Sequence, residues 1–373
     1  MLAALAADRS RIADIEAQIL LLGYSPVDLQ SEKQLAQKRL DSYTYPVLTL
    51  ANEIVGEIFV HALPVYPLCP PLTGPGSPTL LAQICHEWRE IALSTPTLWR
   101  AISLNTSCDE VCDGEVDLCN LWLSRSRSCP LSLVLDEAAL GPLRATELLS
   151  ALVPHRARWE HLNHFSKFPL APGAIEGPMP LLQSLTLYLA GTTGKASFLQ
   201  APLLRTVNLY GIPDETLTFP WAQLTSLTLE VFPGQCTPIL QQTLNLEQCV
   251  LAFFGPFNSV ISGVIPDITL PFLRMLTLVG TPAVGYLKTL IVPALRSLKI
   301  RESFVASNPI DTLRSFMSTS RCLQALHIFD RVVESEESYR QAFPSVKVSF
   351  NGDIDVRFEL SCFRFLTVQC LKD

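Results

Sequence analysis

A chain of 373 residues is too long for one ordinary core, which leaves about two domains or one elongated array. Hydrophobic residues at 48% against 17% charged exclude general disorder, and 28 prolines beside 17 glycines favour many short interrupted elements over long helices. A net charge of -7 removes any global attraction to phosphate, so nucleic acid and anionic membrane are not expected as partners, and protein is.

Residues 8–22 space Ile12, Ile15, Ile19 and Leu22 as the stripe of an amphipathic helix, stopped by Gly23 and Pro26. The charges within this segment (Asp8, Arg9, Arg11, Asp14, Glu16) rule it out as a signal peptide, so an intracellular location, cytoplasm or nucleus, is expected. The eleven scattered cysteines should then be reduced thiols, mostly core filler. A second helical piece, about 28–41, carries Leu29, Leu35 and Leu40. Residues 1–42 are therefore a helical segment that pairs as a hairpin, joins another chain in a short coiled coil, or lies against the next domain.

Residues 43–104 read as a small helical unit. Leu50, Ile54, Ile58 and Phe59 share one helical face, closed by Leu63 before Pro64. Six prolines between 64 and 78 predict an extended exposed insert. Leu81, Ile84, Cys85, Trp88, Ile91 and Ala92 then recur at three and four, a second amphipathic helix. Ser94-Thr95-Pro96 ends it, because proline disfavours helix at the residue before it, and turns the chain so that Leu98 and Trp99 fold back onto the helices. Ile102 and Leu104 lead out of the unit into the C-terminal region.

Residues 105–373 contain a short repeat, apolar-x-x-apolar-x-apolar. Its copies are Leu182/Leu185/Leu187, Leu204/Val207/Leu209, Leu224/Leu227/Leu229, Leu246/Cys249/Leu251, Leu273/Leu276/Leu278, Leu295/Leu298/Ile300 and Leu323/Leu326/Ile328, with a fainter Phe343/Val346/Val348. Segments 129–136 and 158–165 are candidate degenerate first turns. The leading residues are 20 to 28 apart, within the period of leucine-rich repeats. Two inward apolar side chains per strand cannot be buried alone, but stacked parallel strands bury them against one another. The expected fold class is thus α/β: an N-terminal helical unit followed by an irregular leucine-rich-repeat solenoid with a curved parallel sheet. The asparagine usual in that repeat is replaced by Ala190, Ile212, Phe232 and Thr281, so no asparagine ladder is expected.

Chemistry-bearing clusters are weak. Cys108, Cys112, Cys119 and Cys129 near an acidic run (109–117) lack the spacing of zinc or calcium sites, and His155, His161 and His164 lack an i, i+4 pair. "GTTGKAS" (191–197) has Leu189 where a phosphate loop needs its first glycine and Ala196 where it needs a hydroxyl. The uncharged stretch 249–266 is broken by Pro256, Asn258, Ser259 and Ser262 and is not expected to span a membrane. No metal, cofactor or catalytic site is predicted, and the chain is expected not to be an enzyme.

"YPVLTLANEIVGEIFVHALP" and "LLAQICHEWREIALSTPTLWRAISL" resemble the F-box-like motif of fungal F-box proteins. The matching positions are Leu50, Glu53, Ile54, Ile58, Phe59, Ile84, Cys85, Trp88, Arg89, Ile91, Ala92, Thr95, Pro96, Leu98 and Trp99. The family's proline after the first leucine is Ala51 here, which leaves Asn52 to cap the helix. The resemblance implies docking on a Skp-family adaptor, and through it a cullin ubiquitin ligase, by Leu50, Ile54, Ile58, Phe59, Trp88, Pro96, Leu98 and Trp99. A protein substrate would lie on the sheet positions that alternate with the inward ones: Tyr188, Tyr210, Glu230, Lys299, Arg301, His327 and Phe329, with Thr186, Asn208 and Thr228 beside them. The alternative is a leucine-rich-repeat scaffold that binds protein but never engages the adaptor.

Overall fold

A computed structural model describes residues 2–22, 27–41, 49–104, 114–136, 142–166, 176–189, 196–211, 217–254, 266–283, 285–305, 308–329 and 334–350. Cys108, Cys112, Ala190, Ile212 and most of "GTTGKAS" lie outside these, as do the side chains of Ile19, Leu22, Leu29 and Leu40.

Helices α1 (Leu2–Leu22) and α2 (Val27–Asp41) pair as a hairpin over buried Ile15 and Ala36. Ion pairs lace it: Arg11 with Glu32, Lys33 with Glu16 at 2.7 Å, and Arg39 with Asp8 at 3.4 Å. Ala36 rather than Leu35 faces inward, because the small residue lets the two backbones approach.

The helical unit begins with α3 (Asn52–Ala62). Asn52 does not cap it: Ala51 occupies the cap position with no side-chain bond, and Asn52 already has helical backbone. The second predicted helix is two. α4 (Pro78–Ile84) starts at Ser77, whose hydroxyl accepts from the Thr79 amide at 3.1 Å, and it stops at Cys85, which is extended (φ -154, ψ 172). α5 (His86–Ser94) restarts there with the Cys85 sulfur accepting from the Trp88 amide at 3.4 Å. Arg89 bridges the break, its Nε donating to the Ala82 carbonyl at 2.9 Å. After α5, Thr95 and a short 3-10 turn (Pro96–Trp99) carry Leu98 and Trp99 into the interior, where Trp99 Nε1 donates to the Ala92 carbonyl at 2.8 Å. Gly56 of α3 faces this corner; a Cβ there would sit 3.2 Å from Thr95 Oγ1.

A mixed α/β array comes next, built on an 11-stranded parallel sheet. In spatial order the strands are β1 (Ala101–Leu104), β2 (Leu131–Asp136), β3 (Trp159–Ser166), β4 (Ser184–Leu189), β6 (Thr206–Tyr210), β8 (Ser226–Val231), β9 (Gln248–Phe253), β11 (Met275–Gly280), β13 (Ser297–Arg301), β14 (Ala325–Phe329) and β15 (Lys347–Phe350). The sheet begins at Ala101, inside the segment assigned to the helical unit. Two outer two-stranded sheets, β5 (Ala196–Ser197) with β7 (Leu217–Thr218) and β10 (Ile268–Thr269) with β12 (Leu290–Ile291), tie neighbouring returns together. Other returns are helical: α6 (Glu115–Arg125), α7 (Pro142–Leu152), α8 (Cys236–Leu240), α9 (Pro309–Thr319) and α10 (Glu336–Ala342).

The triplets line up. Ile102, Leu133, Leu162, Leu185, Val207, Leu227, Cys249, Leu276, Leu298, Leu326 and Val348 form one row across the sheet. Leu104, Leu135, His164, Leu187, Leu209, Leu229, Leu251, Leu278, Ile300, Ile328 and Phe350 form the second. Nearly all of these side chains are buried, each contributing roughly 1.5–3 kcal/mol where fully removed from water. Segments 129–136 and 158–165 are true strands of the array. The eighth copy is displaced by two residues: Val348 and Phe350, not Val346 and Val348, fill the rows. Gly280 closes its strand at φ +84, where a Cβ would lie 2.1 Å from the Phe253 carbonyl oxygen, so no other residue fits.

One continuous core runs from Val55 of α3 to Phe343 beyond α10. The helical unit therefore closes the first end of the array and shares its interior, with Trp99 edge-on to Trp122 of α6 at 5.3 Å. Most of the Pro-rich insert is exposed, as expected, but a few anchored residues make it a strap between the unit and the array. Leu72, Ser77 and Pro78 are buried, Tyr66 donates to the Glu160 carboxylate of β3 at 2.7 Å, and Arg100 lies over the Tyr66 ring at 3.9 Å. Ser132 of β2 donates to the Pro67 carbonyl at 2.6 Å. Burial and the Glu160 carboxylate together push the Tyr66 phenol far up, so it stays a proton donor. Buried thiols are likewise pushed up, Cys69 and Cys236 to about 11 and Cys119 to about 12, which suits packing rather than reactivity. Among the described residues no helix is long and apolar enough to cross a membrane.

Candidate protein-binding surfaces

Two surfaces carry the residues nominated by the sequence. The first is on the helical unit. Val55, Gly56 and Phe59 of α3 turn inward, Phe59 packing against Trp88 at 4.8 Å between ring centroids. Leu50, Ile54 and Ile58 turn outward and are 40%, 52% and 45% exposed. Ile54 and Ile58, spaced by four, share one side of α3, and Leu50 is exposed just ahead of the helix cap. Glu53, Glu57 and His61 are exposed beside it.

Three nominated residues do not reach this surface. Phe59, Leu98 and Trp99 lie in the interior at 1%, 2% and 0% exposure, so no partner touches them while the unit is folded. Trp88 and Pro96 are half-buried. The structure adds others: Leu80 and Ile84 of α4 are 42% and 55% exposed. Ile84 matches the inward period of an unbroken helix, and only the break at Cys85 turns it out; the sequence carries no signal for that break. α3 and α4 each pack against α5, and a shallow groove of about 260 Å³, flanked by Arg89 and Arg125, separates α4 and α5 from α6.

The second surface is the sheet face opposite the buried rows. Period two sends Ser103, Val134, Asn163, Thr186, Asn208, Thr228, Val250, Thr277, Lys299, His327 and Ser349 to one row. Asp136, Phe165, Tyr188, Tyr210, Glu230, Ala252 and Val279 follow each other in the next, with Arg301 and Phe329 paired further on. The rings of Phe165, Tyr188 and Tyr210 form a continuous stack, 4.2 Å between successive centroids and 24° and 13° between planes. Asn208 Nδ2 donates to Thr186 Oγ1 at 3.1 Å beside them.

At the far end Lys299 is exposed, and His327 shares a 2.8 Å hydrogen bond between Nδ1 and Ser349 Oγ. Burial and the neighbouring Lys299 charge lower the His327 pKa, so the ring is mainly neutral near pH 7. Arg301 lies over the Phe329 ring at 5.7 Å and donates to the Gly280 carbonyl at 3.4 Å. Phe329 is not an available contact: it is 3% exposed and belongs to a small apolar cluster with Ala252 and Val279. Thr186 and Thr228 are buried too. Tyr188, Tyr210, Glu230 and Arg301 are partly exposed.

The histidine trio is dispersed. Strand alternation puts His161 and His164 on opposite faces of β3, and His164 fills a leucine position in the second buried row. Among the described residues no group of three or more His, Cys, Asp or Glu could hold a metal ion.

The fold and surfaces define a helically capped α/β protein with an 11-stranded open parallel sheet. No protein-family model matches the chain, and no curated protein matches it.

Proposed function

We propose that the chain is the substrate-receptor subunit of a Skp/cullin/F-box ubiquitin ligase. The helical unit docks on a Skp-family adaptor, and through it a cullin, while the open face of an irregular leucine-rich-repeat sheet holds a protein substrate. In this reading the chain performs no chemistry; ubiquitin transfer belongs to other subunits. The supporting observation is the exposure of Ile54 and Ile58 on the outer side of α3, with exposed Leu50 just ahead of it, while the inward residues of that helix are buried in the core. Contiguous exposed apolar side chains of this size mark a protein-binding surface. The Pro-rich insert is anchored on the array and leaves the stripe open, so its length does not argue against docking.

The test is retention of a purified Skp-family adaptor by the full chain and by Ile54→Asp. Binding by the native chain, and loss of at least tenfold in affinity for the variant with unchanged thermal melting, is the expected result. Equal retention by both chains would remove the stripe from the interface. A native chain that never binds the adaptor would leave the leucine-rich scaffold as the better reading.

A further inference from the structure

We infer that the row Asp136, Phe165, Tyr188, Tyr210 and Glu230 is a docking track for an extended basic segment of the cargo protein. The inference rests on the reading of the open sheet face as the cargo surface and names the chemistry that one part of it selects. The five residues lie on consecutive strands β2, β3, β4, β6 and β8, paired one to the next. Three stacked rings form a ridge with a carboxylate at each end.

The stack is pre-organised. Successive rings 4.2 Å apart hold one another upright, so a ligand that lies along them immobilises few further side chains. The ring edges along this ridge give apolar surface on which the alkyl stems of arginine and lysine side chains pack while their charges meet acids. The two carboxylates supply the acids. Four strand steps of about 4.8 Å separate Asp136 from Glu230, or about 19 Å. An extended chain advances about 3.3 Å per residue, so basic side chains about six residues apart reach both ends, and an even separation puts them on one side of the segment.

The basic end of the face sets a limit to the track. Lys299 and Arg301 lie three strand steps beyond Glu230, about 14 Å, far enough that salt screens them from the carboxylates. A uniformly basic segment therefore stops at Glu230, which fixes where it sits.

The experiment is fluorescence anisotropy on the full chain with two synthetic peptides of about nine residues. One carries arginines six apart with leucines between; the other has glutamates in their place. The arginine peptide should bind, weaken about tenfold with Glu230→Lys or Asp136→Lys, and weaken a few-fold with Glu230→Gln, whose size is preserved. Unchanged affinity in both Glu230 variants, or equal binding of the glutamate peptide to the track, overturns the inference. If only the glutamate peptide binds, and Lys299→Glu abolishes it, the cargo face stands while the basic track falls. If neither peptide binds, the track falls.

Discussion

The helical unit and the array are equally rich in apolar residues, yet they use them differently. In the array each strand has two faces, and the repeat of the chain itself supplies the neighbour, so every triplet residue has one place to go. In α3 successive apolar residues go to opposite sides: Val55 and Phe59 in, Ile54 and Ile58 out. The difference teaches where sequence patterns stop being sufficient. When the neighbour is a copy, periodicity names the interior; when a helix keeps apolar residues on its outer side as well, core and surface are written with the same residues.

That contrast can be broken most strongly at the corner where the two regions meet. Trp99→Ala removes a fully buried indole that packs on Trp122 and bonds to Ala92, and should destabilise the chain by about 3–5 kcal/mol in chemical denaturation. Ile58→Ala, two turns into α3 but outward, should change stability by no more than about 0.5 kcal/mol. Comparable losses from both would mean that the two faces of α3 are not distinct.

Tyr66→Phe sharpens the role of the insert. It leaves the ring under Arg100 and removes only the hydrogen bond to Glu160, so a loss of about 1 kcal/mol is expected, with faster proteolysis within residues 64–76. No change would mean that the strap does not hold the unit to the array.

The smallest effect is on pH. His161, edge-on to Tyr66, is held below its ordinary value by burial, with Glu160 opposing in part. His155 and His327 shift the same way, by burial and by the neighbouring charges of Arg158 and Lys299. The folded state then binds fewer protons than the unfolded one, so the contribution is fully present above about pH 6.5 and is lost as pH falls below it through the lowered folded values. The melting temperature should drop modestly from pH 7 to pH 5, with a shallower slope in His161→Gln. An equal slope in the variant would assign the acid sensitivity elsewhere.

Much of the array was legible because its signal is local and repeated. The leucine triplets set register as well as strand position, and they differ from the structure only at the last copy, where Val346 imitates the pattern two residues early. His164 in a leucine row was unreadable from periodicity, since histidine is also at home on the open face. The helix break at Cys85, the uncapped start at Ala51 and the burial of Phe329 against Ala252 and Val279 on the opposite face depend on tertiary packing that no local pattern carries. The anchoring of the insert has no local signal either. Proline content correctly excluded helix and strand, but the contacts of Tyr66 and Ser132 join residues 65 to 94 positions apart. At the candidate surfaces the alternation of the sheet names which side chains lie opposite the buried rows but not that Thr186, Thr228 and Phe329 are buried there, and helical spacing names both Ile54 and Phe59 without separating them.

Hydrogen exchange of the full chain with and without a Skp-family adaptor addresses both regions at once. Slowed exchange at residues 50–58 and 80–84, with β4 to β9 unaffected, is the result expected of an outward apolar stripe on a unit already complete within. Protection spread over the sheet face, or none at α3 and α4, would contradict it.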